Sequence, residues 1–337
     1  MIRNTVYIAF VTLVHATCWA DDPRGIATDQ DIALLKTSRI ECLVGNNKSH
    51  REEGVQHHAG YNGLFRLTST DQKESPFVPA YAGLNLEHYF DARPRREGHV
   101  FFEPRHASMS LERVSQHGVE LHQPPTPTFG IESWTRFVVR EPYYVDFSFR
   151  CVPRRDELEG NFFGVFWASY INGPLDKSIY FLDVESSLNQ PLWRQLATQQ
   201  HNRDSTVRGK ADSIDLVFQA GEETLFSSIS PLRYSEPFFY GRFRNMVLIY
   251  VFRQNPHLRF THSPSGGGNN RLGDDTNPAW DFQLIVPNAQ VNKEYRLEGC
   301  LIYKPWQNRA DVLSEVRRYL ATPQVNPSAN QNATRNQ

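Results

Sequence analysis

The run Tyr143-Tyr144-Val145-Asp146-Phe147-Ser148-Phe149-Arg150-Cys151 alternates with a period of two. Tyr143, Val145, Phe147, Phe149 and Cys151 share one face, while Tyr144, Asp146, Ser148 and Arg150 share the other. Successive side chains of a strand point to opposite faces, so this is the signature of a half-buried antiparallel strand. Ile131 to Arg140, just upstream, reads as its partner, with Glu141-Pro142 as the turn between them. Phe162 to Ala168 and Met246 to Phe252 are unbroken aromatic and β-branched runs, the pattern of strands covered on both faces. Gly63–Thr68, Met109–Val114, Ile179–Leu182, Ile214–Phe218, Phe282–Val286 and Tyr295–Tyr303 extend the series.

Strands do not alternate with helices, which excludes an α/β arrangement. The expectation is an all-β fold: a large two-sheet antiparallel β-sandwich with a short C-terminal helix. Val312, Leu313, Val316 and Leu320 form one apolar stripe at helical spacing and define that helix within residues 307–321. The sandwich is expected over residues 57–306, after a polar segment at 21–56 with one short helix around Asp29 to Lys36. The Asn/Gln/Pro/Ser-rich stretch 322–337 is expected to be disordered.

Residues 1–20 carry a positive charge at Arg3, a short apolar stretch from Val6 to Val14, and a small residue at Ala20. That order reads as a cleavable signal peptide and is shorter than the ~20 apolar residues of a membrane span. The expected location is therefore secreted or periplasmic, without membrane insertion after cleavage. Of 337 residues, 36 are basic and 37 acidic, so no net field steers nucleic acid, and none is expected as a partner. The basic side is made of 29 Arg and only seven Lys. Beyond the signal, Cys42, Cys151 and Cys300 remain, an odd number without Cys-x-x-Cys or Cys/His metal spacing. No metal and no cofactor is expected. The sequences G-x-S-x-G, G-x-x-x-x-G-K-[ST], H-E-x-x-H and G-x-G-x-x-G are all missing, which removes the usual signatures of those reactions. Asn47-Lys48-Ser49 is a glycosylation sequon, and Ser265-Gly266-Gly267-Gly268 reads as a loop between strands.

What remains is polar groups beside aromatics near strand ends. Glu87 and Arg105 are either a pair that braces strands or groups that reach sugar hydroxyls. His201 is a candidate general acid, because imidazole titrates close to working pH. Trp280 and Trp193 are candidates for stacking a pyranose, with Asp281 accepting hydroxyl protons. Arg203 and His262 complete the candidate set, with His201 and Asp281 as the catalytic pair and the other six residues as substrate contacts.

The order of these segments resembles a family. Gly60-Tyr61-Asn62-Gly63-Leu64, Pro79-Ala80-Tyr81-Ala82-Gly83-Leu84-Asn85-Leu86-Glu87-His88, the strands through Trp134 and Phe147, and the closing Val291-Asn292-Lys293-Glu294-Tyr295-Arg296-Leu297 look like the galactose-mutarotase-like β-supersandwich superfamily. The Asn-x-Leu-His-Gly-Gly segment of its epimerases is missing. The resemblance implies a carbohydrate or polysaccharide partner. It also implies, for an enzyme, epimerase-like or lyase-like acid/base chemistry, with His201 at the acid and Glu298 or Asp281 at the base. The function expected is a secreted carbohydrate-binding or carbohydrate-active protein. The alternative is a noncatalytic extracellular interaction or structural module, and convergence of Glu87, His201, His262 and Asp281 on one cleft discriminates the two.

Overall fold

A computed structural model describes residues 31–52, 54–96, 101–219 and 224–322. The expected signal peptide, residues 21–30 and residues 323–337 of the tail lie outside the described residues. Within them the chain runs through β1 (Ile32–Lys36), β2 (Ile40–Gly45), β3 (His50–Glu52), β4 (Val55–His57), β5 (Gly63–Ser69) and β6 (Asn85–Phe90). The short helix α1 (Glu103–His106) leads into β7 (Ser110–Ser115), β8 (Gly118–Gln123), β9 (Ile131–Arg140), β10 (Tyr144–Pro153) and β11 (Phe162–Ala168). Next come β12 (Ile179–Leu182), β13 (Trp193–Leu196), β14 (Thr206–Gly209), β15 (Ile229–Tyr234) and β16 (Phe238–Phe243). The chain then forms β17 (Met246–Phe252), β18 (Leu258–Ser263), β19 (Ala279–Pro287), β20 (Tyr295–Pro305) and α2 (Arg309–Ala321).

These strands build two large sheets. A nine-stranded sheet has the order β13-β12-β16-β17-β20-β10-β9-β8-β7, and a six-stranded sheet the order β15-β14-β18-β19-β11-β6. Every ladder in them is antiparallel except β14 with β15. The core lies between the two sheets. Val145, Phe147, Phe149 and Cys151 of β10 enter it, as their alternation dictates, and meet Trp167 and Phe282 of the six-stranded sheet. Phe149 packs edge-on against Trp167 at 4.7 Å, and Phe147 lies 5.6 Å from Phe282.

The nine-stranded sheet buries its outer face under α2, whose Val312, Leu313 and Val316 pack on Val247, Ile249 and Ile302. Asn308 caps this helix through its side-chain oxygen, which accepts from the Asp311 N–H at 3.0 Å. Lys304 ties it to β20, with Nζ 2.7 Å from Glu315 and 2.9 Å from Asp311. The outer face of the six-stranded sheet carries a separate cluster, including Phe90, Phe162, Phe166, Tyr170, Phe226 and Ala279.

The polar segment and short helix expected around Asp29 to Lys36 are corrected here. Ile32–Lys36 is a strand paired in register with Ile40–Gly45, and β1, β2 and β5 form a third sheet. Ala33, Leu35, Cys42 and Val44 join the main core, and this burial overrides the local polarity that suggested a separate segment. Ile214–Phe218, expected as a strand, forms no ladder. Its Leu216 and Phe218 instead pack against the outer cluster. Cys42, Cys151 and Cys300 are all buried and unpaired, and burial pushes their thiols up, which makes them inert. No described helix is long and apolar enough to cross a membrane.

Candidate functional site

The site follows from one irregularity in β6. Phe166 pairs with His88 but Trp167 pairs with Leu86, so Glu87 is an extra residue, a β-bulge. In a regular strand Glu87 and His88 would point to opposite faces. The bulge brings them together on the outer face of the six-stranded sheet, where His88 Nε2 lies 3.0 Å from Glu87 Oε1. The other carboxylate oxygen accepts from the Tyr170 hydroxyl at 2.6 Å and meets Arg105 Nη2 at 3.1 Å. Arg105 also donates to the Tyr170 hydroxyl, and its guanidinium lies 4.3 Å from the Tyr61 ring centre and 4.7 Å from that of Phe102.

Arg105 is delivered by α1, a single turn that is pinned from two sides. Asn47 and Gln123 both donate side-chain amides to the carbonyls of Pro104 and Ala107, which bracket Arg105. The Glu103 carboxylate accepts the Thr128 and Phe129 N–H groups. The sequon asparagine is thus a structural clamp.

These groups line a cleft of about 270 Å³. That is close to the lower end of the ~300–1,000 Å³ found for small-molecule sites. Asp281 on β19 and His201 on the β13–β14 connection complete its polar wall, while Tyr61, Phe101, Phe102 and Phe226 supply rings. His201 Nδ1 is held 2.8 Å from Ser263 Oγ, which leaves Nε2 for a ligand. The Asp281 carboxylate accepts the Ser169 N–H at 3.0 Å.

The electrostatics separate the two carboxyls. Burial works to raise Glu87, but the Arg105 guanidinium and His88 overcome it and bring its pKa down to about 2. Asp281 is pushed well above the ordinary carboxylate range by burial and by the charge on Glu87, which the Ser169 N–H and the Arg105 guanidinium offset only in part. Burial also lowers the His201 imidazole. At neutral pH the cleft therefore presents an ionised acceptor and an uncharged imidazole beside a carboxyl whose burial favours its protonated form. Pairs of titratable groups driven apart in this way suit acid–base work.

Of the eight residues singled out in the sequence, four converge here: Glu87, Arg105, His201 and Asp281. Trp280 does not. It adjoins Asp281 on a regular strand, so it faces the inter-sheet core, where it is 0% exposed and donates its indole N–H to the Lys177 carbonyl at 2.8 Å. It cannot stack a sugar. His262 pairs across the ladder with Trp280 and is buried with it, its ring nitrogens 2.7 Å from Thr198 Oγ1 and 2.9 Å from the Lys177 carbonyl. Trp193 packs on Phe238 and Tyr240 beside α2, on the far side of both sheets. Arg203 lies on the surface next to the His201 turn and reaches Gln200, at 3.4 Å. Glu298 pairs with Ser148 on the outer face of the nine-stranded sheet and is remote from the cleft.

Sequence reasoning missed His88, Tyr170 and Tyr61. His88 follows Glu87 directly, and only the register with β11 reveals that the two share a face. Tyr170 stands just past the unbroken apolar run of β11, where the strand signal ends. Among the described residues, no group of three or more His, Cys, Asp or Glu side chains is arranged to hold a metal ion.

No protein-family model matches the chain, and no curated protein matches it. Solved structures similar to it include a putative aldose 1-epimerase from Escherichia coli K12, at 9% identity and a TM-score of 0.47 over 82% of this chain and 100% of that one. A galactose mutarotase-like protein from Lactobacillus casei ATCC 334 is similar at 7% identity and a TM-score of 0.45, over 81% and 100% of the two chains. A heparan sulfate lyase mutant from Pedobacter heparinus is similar at 8% identity and a TM-score of 0.44, over 83% of this chain and 36% of that one.

Proposed function

We propose that the chain is an exported carbohydrate-binding or carbohydrate-active protein that takes one sugar ring into the Glu87–Arg105 cleft. The observation that carries this reading is the convergence of Glu87, Arg105, Asp281 and His201 among aromatic rings in one small cleft. A polyol presents many hydroxyls, each both donor and acceptor, on a ring with apolar faces. Glu87 accepts from such hydroxyls, the Asp281 carboxyl donates to them, and the rings pack on the sugar face. A purely structural module has no need to gather these groups at a mouth open to solvent.

If the sugar is turned over, the proton passes through His201. Glu87 is already engaged by His88, Tyr170 and Arg105, and an acid this strong is a weak base. Among the described residues, His201 alone combines a ring nitrogen without a hydrogen-bond partner with a position at the cleft. The engagement of both Glu87 oxygens also favours a second reading, recognition of sugar without turnover.

The test is calorimetric titration of the full chain with a panel of mono- and oligosaccharides. Glu87→Gln is expected to weaken binding by about ten-fold or more, the loss of a charged hydrogen bond of ~1.5–3 kcal/mol. Trp193→Ala is expected to leave affinity unchanged. Absence of any sugar binding, or affinity indifferent to Glu87→Gln, overturns the proposal. In an enzyme, His201→Ala lowers turnover by ~10²–10⁴-fold with smaller changes in KM. Sugar binding with no turnover on any substrate assigns recognition alone. Export is checked by fractionating the native host, where retention in the cytoplasm refutes it.

A further inference from the structure

His201 is carried by the connection from β13 of the nine-stranded sheet to β14 of the six-stranded sheet. Two neighbouring residues at the end of β18 grip that connection from opposite faces of their strand. His262 pairs with Trp280 and lies on the core side, while Ser263 pairs with Ala279 and lies on the side of the cleft. On the core side, His262 Nδ1 accepts the Thr198 N–H at 3.2 Å and stands 2.7 Å from the Thr198 hydroxyl. The backbone N–H of His262 donates to the Ser205 carbonyl at 2.9 Å. Thr198 and Ser205 bracket His201, so both ends of its loop are tied to one buried residue. The Thr198 N–H only donates, and the Lys177 carbonyl, 2.9 Å from His262 Nε2, only accepts. The His262 ring therefore has a lone pair on Nδ1 and a proton on Nε2. Between the two ties, Asn202 and Asp204 adopt left-handed φ values of 60° and 50°, a conformation these residue types tolerate well.

Ser263 settles the ring of His201 itself. Its hydroxyl oxygen is fully buried, accepts the Ser265 N–H at 3.3 Å and stands 2.8 Å from His201 Nδ1. A backbone N–H offers no lone pair, so among the described residues the hydroxyl proton has one acceptor, His201 Nδ1. A proton on Nδ1 would leave that buried hydroxyl without an acceptor. The arrangement that satisfies both groups puts the lone pair of His201 on Nδ1 and its proton on Nε2. Burial of the imidazole favours the same uncharged ring. The glycine stretch has a part in this contact. A Cβ at Gly266 would come within 2.7 Å of the Ala279 Cβ and 3.2 Å of Ser263 Oγ, so the missing side chain leaves the serine room to meet the imidazole.

We propose that His262 and Ser263 are positioning residues for His201: His262 fixes the loop that carries it, and Ser263 fixes its ring so that Nε2 meets a ligand with a proton already in place. This rests on the reading of the cleft as the functional site and adds how that site is held in register. The resting ring then engages an oxygen that accepts, and Nε2 takes no proton from a ligand until it has given up its own. Neither positioning residue touches the ligand. Each acts through His201, one from the core side of the sheet and one from the cleft side.

Long-range nitrogen-15 NMR of the histidine rings, on the full chain at neutral pH and without ligand, reads the arrangement directly. In the wild type, His201 Nδ1 is expected at the unprotonated position and Nε2 at the protonated one. Ser263→Ala is expected to move the tautomer ratio of His201 about 2–10-fold toward a proton on Nδ1, the worth of one hydrogen bond. Thr198→Val removes the hydroxyl held by His262 and is expected to move the ratio the same way. Leu313→Ala destabilises the chain beside α2, remote from the loop, and is expected to leave the ratio unchanged, which separates positioning from a general loss of stability. A wild-type ring with its proton on Nδ1, or a ratio indifferent to Ser263→Ala, overturns the inference while the carbohydrate reading stands. Indifference to Thr198→Val overturns the part given to His262. If the expected tautomer is found in a chain that binds no sugar, the carbohydrate reading falls and the positioning of His201 stands.

Discussion

The indole of Trp280 lies directly over Gly241 of the opposing sheet, so that a Cβ placed at Gly241 would come within 2.3 Å of the ring. Glycine is the residue that leaves room for the indole here.

Gly241→Ala is therefore expected to destabilise the fold by ~1–3 kcal/mol, the cost of overpacking a filled core. Urea unfolding measures it. An unchanged midpoint would mean that the sheets separate freely here. Sugar affinity in the folded variant should be unaltered, because Trp280 faces away from the cleft.

Stability should fall between about pH 6.5 and pH 4. His57 and His262 are both buried, and burial lowers each to about 4. Their folded pKa lies below the unfolded one, so the unfolded chain binds protons first as pH drops. The native state is fully favoured above ~6.5 and loses up to ~3 kcal/mol per histidine as pH approaches 4. The Glu87 contribution is lost in a separate window, from about 4.5 down to its folded value of about 2. Unfolding midpoints of the wild type and His262→Asn across pH 4–7 should show a shallower slope for the variant. Parallel slopes would exclude His262 as a source.

Helix α2 should be integral to the nine-stranded sheet. Leu313→Ala is expected to cost ~2–5 kcal/mol, since Leu313 is buried against Val247 and Ile302. A melting temperature equal to that of the wild type would show that the helix contributes nothing to the fold.

The Asn47 and Gln123 clamp should control sugar affinity from outside the cleft. Asn47→Ala with Gln123→Ala frees the α1 carbonyls at ~1–3 kcal/mol of stability. It also releases Arg105, so affinity is expected to drop by about ten-fold, comparable to losing one charge-assisted contact. If calorimetry on the folded double variant returns wild-type affinity, Arg105 is positioned by Glu87 and Tyr170 alone.

The period-two rule made most of the architecture legible. Val145, Phe147, Phe149 and Cys151 enter the core as their spacing requires, and the runs Phe162–Ala168 and Met246–Phe252 are strands over those same bounds. The C-terminal stripe became α2. The same rule, applied to Trp280 and Asp281, forbids both from lining one cleft, and grouping them overlooked it. Glu87 with His88 is the opposite case. There the rule fails locally, because a bulge depends on how β11 pairs with β6, and one strand's sequence does not carry that information. Ile32–Lys36 was hidden for a related reason: its pairing with Ile40–Gly45 decides its conformation more than its own residues do.

The bulge also bears on how this protein behaves in a crowded solution. β6 is an edge strand of its sheet, with no described strand paired along its outer rim. The Asn62 side chain occupies that rim like a fragment of backbone, donating to the Leu86 carbonyl at 2.9 Å and accepting from its N–H at 3.1 Å. One residue further on, Glu87 breaks the regular spacing that a foreign strand would need to continue the ladder. Deleting this single residue would restore an even rim with His88 still opposite Phe166, and would remove the carboxylate on which Arg105, Tyr170 and His88 converge. Under the proposed function, ligand recognition and protection against self-association would depend on the same inserted amino acid, and selection for either one would retain the other.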